Sequence, residues 1–222
     1  MAVVGVLALQ GSFNEHMAAL RRLGVKGVEI RKPEQLHTIS SLIIPGGEST
    51  TMAKLAEYHN LKTGGQDLVG GLDCTVHRNF FGSQIQSFEA ELSVPQLASQ
   101  EGGPETFRGV FIRAPAILEA GPEVQVLADY PVSSDKLLSF DTSTGDKKEN
   151  AEEESKVIVA VRQGNILGTA FHPELTADTR WHSYFLKMSN ETGEEASLSN
   201  LVPAQVTTSL YQLTRSDLPI FQ

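Results

Sequence analysis

Cysteine is almost missing from this chain: Cys74 is the single example in 222 residues. It cannot form an internal disulfide, and a lone thiol fits a reducing compartment such as the cytoplasm. Positive charge is also scarce, with 18 Lys and Arg against 27 Asp and Glu and a net charge of -9. So acidic a chain carries no electrostatic footprint for a nucleic-acid backbone or an anionic membrane. Long apolar runs are absent too. The apolar opening Met1 to Leu9 has no basic leader and is too short for a signal core, and nothing reaches the roughly 20 apolar residues of a membrane span. What remains, 40% hydrophobic and 20% charged residues, is enough for one substantial core and too little for two.

The pattern along the chain is strand, helix, strand, helix, then a run of shorter strands. Val3 to Leu9 is a continuous apolar run, as a parallel strand buried on both faces requires. Asn14 to Leu23 places Met17, Leu20 and Leu23 at helical spacing and stops at Gly24. Val28 to Arg31 and Ser41 to Ile44 are further strands, the second ending at Pro45-Gly46-Gly47, and Ser49 to His59 is helical. Beyond Leu68 the texture becomes antiparallel: Leu72, Cys74 and Val76 alternate with polar neighbours, as do Phe88, Ala90 and Leu92. Val110 to Ile112, Val124 to Leu127, Val157 to Val161 and Leu167 to Phe171 read as strands. The expected fold is α/β, a doubly wound and mostly parallel sheet with added antiparallel strands, its active edge at the carboxyl ends of the strands. One domain is expected over residues 1–188. Ser139 to Ser155 reads as a mobile polar loop and residues 189–222 as a poorly ordered tail.

Two short motifs carry chemistry. Gly46 and Gly47 lie between a strand and a helix start at Glu48, Ser49 and Thr50, where free N–H groups and the helix dipole converge. Such a turn can stabilise an oxyanion, although taken alone it reads first as an ordinary strand-to-helix turn that needs glycine. The lack of a Lys after the glycines disfavours a phosphate loop. His172 and Glu174 are two apart, so in extended backbone both side chains leave one face, and Pro173 excludes a helical His172. A carboxylate behind an imidazole fixes its tautomer and stabilises the imidazolium. The plainer alternative is a strand-end histidine capping a loop. A zinc deaminase would need paired cysteines, so no metal is expected, and no cofactor is called for.

Together the segments Gly5 to Phe13, Ile43 to Thr51, Arg78-Asn79-Phe80-Phe81-Gly82, Phe111 to Pro115 and Ala170 to Glu174 closely resemble the glutaminase subunits of pyridoxal 5'-phosphate synthase, above all those of plants. The resemblance covers most of Val4 to Met188. It implies a class I glutamine amidotransferase fold. It also implies a division of labour in which the glutaminase releases ammonia from L-glutamine and a separate synthase subunit, a (β/α)8 barrel, consumes it to build the vitamin B6 cofactor. In that family a cysteine thiolate attacks the amide. His172 matches its general base and Glu174 the orienting acid. Gly47, Glu48, Ser49, Arg78, Ile112 and Arg113 match glutamine contacts, and Gly46, Gly47 and Gln10 match the oxyanion region.

The departure from the family falls on the nucleophile. After Leu61 the family continues into a strand and a Gly-x-Cys-x-Gly elbow, whereas this chain passes through Lys62-Thr63 straight to Gly64-Gly65. Family-like sequence on both sides fits exon skipping or a gene-model error better than gradual decay. Cys74, in Leu72-Asp73-Cys74-Thr75-Val76, is expected to be a buried structural thiol, with no tight turn to aim it at His172. The chain is therefore expected to be impaired in glutamine hydrolysis. The alternatives are a non-catalytic docking or regulatory partner of the synthase subunit, or an unstable truncated isoform.

Overall fold

The structure, a computed structural model, describes residues 3–47, 49–59, 71–77, 80–81, 87–132 and 155–195. The apolar opening forms β1 (Val4–Leu7), whose Val4 and Val6 are fully buried. It runs parallel to β2 (Gly27–Ile30) on one side and β3 (Ser41–Ile43) on the other, giving the order β2-β1-β3. The connection from β1 to β2 is α1 (Phe13–Arg22), which buries His16, Ala19 and Leu20, one helical face at i, i+3 and i+4. Gly24 ends it with φ +70°, a left-handed conformation that suits glycine. A 3-10 turn, Pro33–Thr38, leads to β3, and α2 (Ser49–Tyr58) follows the Gly46-Gly47 turn.

The remaining strands pair largely antiparallel. β4 (Cys74–His77) lies against β7 (Ala116–Ala120), and β9 (Ser155–Gln163) lies between β8 (Gln125–Val132) and β10 (Ile166–Thr169). A single pair, Ile117 opposite Ile158, joins β7 to β9. β5 (Ser87–Ser93) and β6 (Thr106–Ile112) form a separate ribbon of seven opposed pairs, with α3 (Pro95–Glu101) in the connection between them. The α/β class and the mixture of pairings agree with expectation. The balance does not lean parallel: among the described strands, parallel pairing is confined to the first three.

The last helix, α4 (Arg180–Glu195), holds these parts together. Trp181, Tyr184 and Met188 sink into the large core beside Phe107, Phe111 and Phe171, while Phe185 and Leu186 pack on the cluster of Val4, Val6 and Leu20. Its first residue adds a polar clamp, because the Arg180 guanidinium donates to the carbonyls of Gly102, Pro104 and Thr106 and pairs with Asp178. The helix also runs through residues 189–195, the start of the expected tail. Residues 196–222 lie outside the described residues, as does the expected polar loop except Ser155, which opens β9. No helix among the described residues is long and apolar enough to cross a membrane.

Phe111 is the hub of the large core. It is fully buried, stacked on Phe88 at 4.7 Å, and within 5.8 Å of Phe81, Tyr130 and Phe171. Replacing it with alanine removes these contacts and leaves a cavity. Phe111→Ala is expected to lose about 3–5 kcal/mol of unfolding free energy in urea titrations, and a loss under about 1 kcal/mol would show that the ribbon is not packed as described.

Candidate active site

Three pieces of backbone meet at one place. The chain leaves the carboxyl end of β1 through Gln10-Gly11-Ser12, leaves β3 through Pro45-Gly46-Gly47, and leaves β10 through His172-Pro173-Glu174. The first two touch without intervening side chains: a Cβ placed on Gly11 would collide with the Gly46 carbonyl, and one on Gly47 would collide with the Gln10 side-chain oxygen. Gly11 also has φ +87°, so glycine is required there twice over. Pro45 is buried, whereas Gly46 and Gly47 are exposed at the entry to α2, where backbone N–H groups can face a ligand.

The third piece brings His172 and Glu174. The His172 N–H donates to the Val110 carbonyl of β6 at 2.8 Å, fixing the strand exit against the ribbon. Its backbone is extended (φ -98°, ψ 90°), and Pro173–Leu175 then curls into a 3-10 turn. The pair therefore closes across a turn instead of along one strand face, and still forms: His172 Nδ1 lies 2.7 Å from Glu174 Oε1. The imidazole rests on the glycine turn, its Cε1 2.7 Å from where a Gly46 Cβ would stand. Its side chain is 17% exposed and that of Glu174 1%. A reachable base backed by an inaccessible carboxylate is the arrangement that proton transfer needs.

Glu174 has three partners besides His172 that the sequence reading did not identify, directly or at one remove. Ser12 Oγ donates to the same carboxylate oxygen, Oε1, that faces His172. His16 Nε2 lies 3.4 Å from Oε2, and His16 Nδ1 is 2.9 Å from His182 Nε2. Burial alone would raise the Glu174 pKa. The His172 hydrogen bond, the nearby His16 and the Ser12 hydrogen bond outweigh it and bring the value down to about 2. Burial also lowers the His16 and His182 imidazoles, the latter to about 4, so both are neutral at pH 7. The available signal was the position of His16, one helical turn after Ser12 on the apolar face of α1.

The other expected residues fall into two groups. Ile112 ends β6 two residues beyond the Val110 anchor, 42% exposed, and Arg113 follows with φ +48°, a rare conformation for a non-glycine residue. Both thus emerge beside the His172 exit. Ser49 begins α2, but its side chain, Glu48 and Arg78 lie outside the described residues.

Cys74 differs from expectation. It opens β4 instead of lying within it and is half-buried. Desolvation and the Asp73 charge raise its pKa, which favours the inert thiol over the thiolate. The preceding Asp73 N–H donates to Gln163 Oε1 at 2.8 Å, which places this segment at the β9–β10 turn. His172 lies beyond the opposite end of β10, six residues past Ile166, roughly 15–20 Å along an extended chain.

The pKa values set the acid response. Glu174 titrates near 4.5 when unfolded and about 2 when folded, so its contribution of ~3 kcal/mol is complete above pH 4.5 and disappears as pH falls toward 2. His16 and His182 are also depressed. The unfolded chain binds their protons first below about pH 6.5, and stability falls as pH drops from there toward 4. Urea unfolding from pH 8 to 3 should therefore show declining stability from pH 6.5. Glu174→Gln should be less stable at pH 7, with its curve converging on the parent below pH 4.5. Parallel curves would contradict this assignment.

Comparison with known proteins gives the family. The model of the SNO glutamine amidotransferase family matches residues 6–70 and 62–191, in two pieces. The chain is 62% identical over 253 aligned residues, 99% of each chain, to an Arabidopsis thaliana protein described as "Probable pyridoxal 5'-phosphate synthase subunit PDX2". It is 43% identical to the pyridoxal 5'-phosphate synthase subunit PdxT of Pelotomaculum thermopropionicum, over 86% of this chain and 97% of that one. A crystal structure of a glutamine amidotransferase superposes with a TM-score of 0.63 at 38% identity, covering 84% of this chain and 98% of its own. The chain belongs to the SNO glutamine amidotransferase family.

Proposed function

We propose that this chain occupies the place of the glutaminase subunit of a pyridoxal 5'-phosphate synthase and does not itself turn over glutamine. One observation carries the reading: the base, its carboxylate and the glycine turn are assembled at one point, while the only thiol lies at the far end of β10. In glutamine hydrolysis by this family the thiolate forms the acyl bond to the substrate. Here His172 Nε2 can still accept a proton, because Nδ1 is engaged by Glu174, and the Gly46-Gly47 turn can still face an anion. Among the described residues no group is placed to attack the amide. The members of such a constellation are strongly interdependent, so removing the nucleophile leaves only a small residual effect.

The comparisons support a discrete missing segment. The alignment to the Arabidopsis relative is 253 residues long, 31 more than the 222 the chain contains. The two pieces of the family match meet at residues 62–70, where the sequence passes directly from Lys62-Thr63 to Gly64-Gly65.

Glutamine would be held by Gly47, Glu48, Ser49, Arg78, Ile112 and Arg113, the arginines being suited to its carboxylate. The β1 strand and the Gln10 turn are intact, which favours retained docking on the synthase subunit, a (β/α)8 barrel. The chain should co-purify with that subunit, yet release ammonia from glutamine at less than about one-thousandth of an intact homologue's rate. Turnover near that of the homologue would refute the proposal. A broad, non-cooperative thermal melt would instead assign the chain as an unstable isoform.

A further inference from the structure

Behind Glu174, on the side away from His172, lies a second and wholly buried pair of ring nitrogens. His16 is 7% exposed and His182 4%, with ring centroids 5.1 Å apart. They come from helices 166 residues apart in sequence, α1 and α4, and meet edge to edge through Nδ1 of one and Nε2 of the other. Two buried histidines beside a buried carboxylate need a reason, because each polar atom taken from water without a partner costs stability.

The distances allow only one consistent placement of protons at neutral pH. Ionised Glu174 can only accept, so the facing nitrogen, His16 Nε2, must carry a proton. His16 is neutral, so its Nδ1 is then a bare acceptor, and His182 Nε2 must carry the proton shared between the rings. His182 Nδ1 is left without a proton. That atom has no hydrogen-bond partner among the described residues, which is tolerable for a lone pair and costly for an N–H. On the opposite side, Ser12 and the Nδ1 proton of His172 supply Oε1. Every donor therefore points toward Glu174. The other charged groups bearing on the pair are Glu15, beside His16, and Arg22, which acts on His182 and donates to the Thr176 carbonyl.

We propose that His16 and His182 are positioning residues of this site: a one-way polar relay, in which His182 donates to His16 and the His16 Nε2 proton faces Glu174 Oε2 at 3.4 Å, that keeps the carboxylate ionised and aimed at His172. The relay joins α1 and α4 to the exit of β10, so the orientation of the base is set by packing between helices as well as by its own turn. Adding a proton to the pair would place an N–H on His182 Nδ1, where nothing among the described residues receives it. The relay thus resists charging while the fold is intact.

The inference rests on the reading of His172 and Glu174 as the acid–base pair, but its test needs neither glutamine nor a partner subunit. Imidazole 15N spectra of the full chain at pH 7 should show His16 and His182 protonated on Nε2 and His172 on Nδ1. A His16 proton on Nδ1 would overturn the relay without requiring any variant. Carboxyl 13C titration gives a second readout: His16→Leu should raise the Glu174 pKa by roughly one unit or more, and His16→Gln, which keeps a donor near the Nε2 position, should restore most of the shift. A lower Tm with the Glu174 titration unmoved would reduce the pair to packing. Should His16→Leu not fold, the native tautomers and His16→Gln decide. Failure of this test leaves the missing-nucleophile reading standing, and turnover in the glutamine assay would overturn that reading while leaving the relay in place.

Discussion

Everything around the site depends on one buried, ionised carboxylate. Glu174 lies on a short turn after β10, where nothing in the local backbone demands a charge, and water cannot reach it. Its ionised form persists because four side chains are arranged around it: Ser12 before α1, His16 within α1, His182 on α4 behind His16, and His172 two residues upstream. These groups come from both ends of the chain, so the carboxylate serves chemistry and long-range assembly together. An isolated buried charge would be intolerable; surrounded by donors it is a fastener.

The same reasoning explains why His172, Glu174 and the glycine turn are held together although Cys74 lies at the other end of β10. His172 and Glu174 are held by β6, α1 and α4, and Gly46-Gly47 by β1 through backbone contact. None of these supports belongs to residues 60–70. The pair therefore has reasons to persist that are independent of turnover: removing it would leave His16 facing an unfilled, buried acceptor site.

Much of this was legible in the residues. Continuous apolar strands, helical spacing ending at Gly24, and alternation through Phe88, Ala90 and Leu92 locate their elements within a residue or two, because local periodicity and burial point the same way there. His172, Glu174 and the glycine turn were legible because their chemistry is carried by a compact pattern. What escaped detection depends on contacts between distant segments. The length of α4 through residue 195 was hidden by its polar sequence, since Trp181, Tyr184 and Met188 anchor only its first half. α3 is a short helix opened by Pro95, and β7 is five residues beside a turn, so neither has enough length for a period to register. His16 and His182 look like ordinary helix residues until the two helices are packed. Cys74 was expected to be buried, and its position at the open end of β4 is set by Asp73 and Gln163, a contact with no local signature.

The contact between the Gly11 and Gly46 turns has an evolutionary consequence. Two backbones touching without side chains leave almost no room for substitution, and the acceptable neighbours are specified by shape before any reaction is considered. The seam also ties the two turns to each other, so neither can take a side chain or lengthen without moving its neighbour.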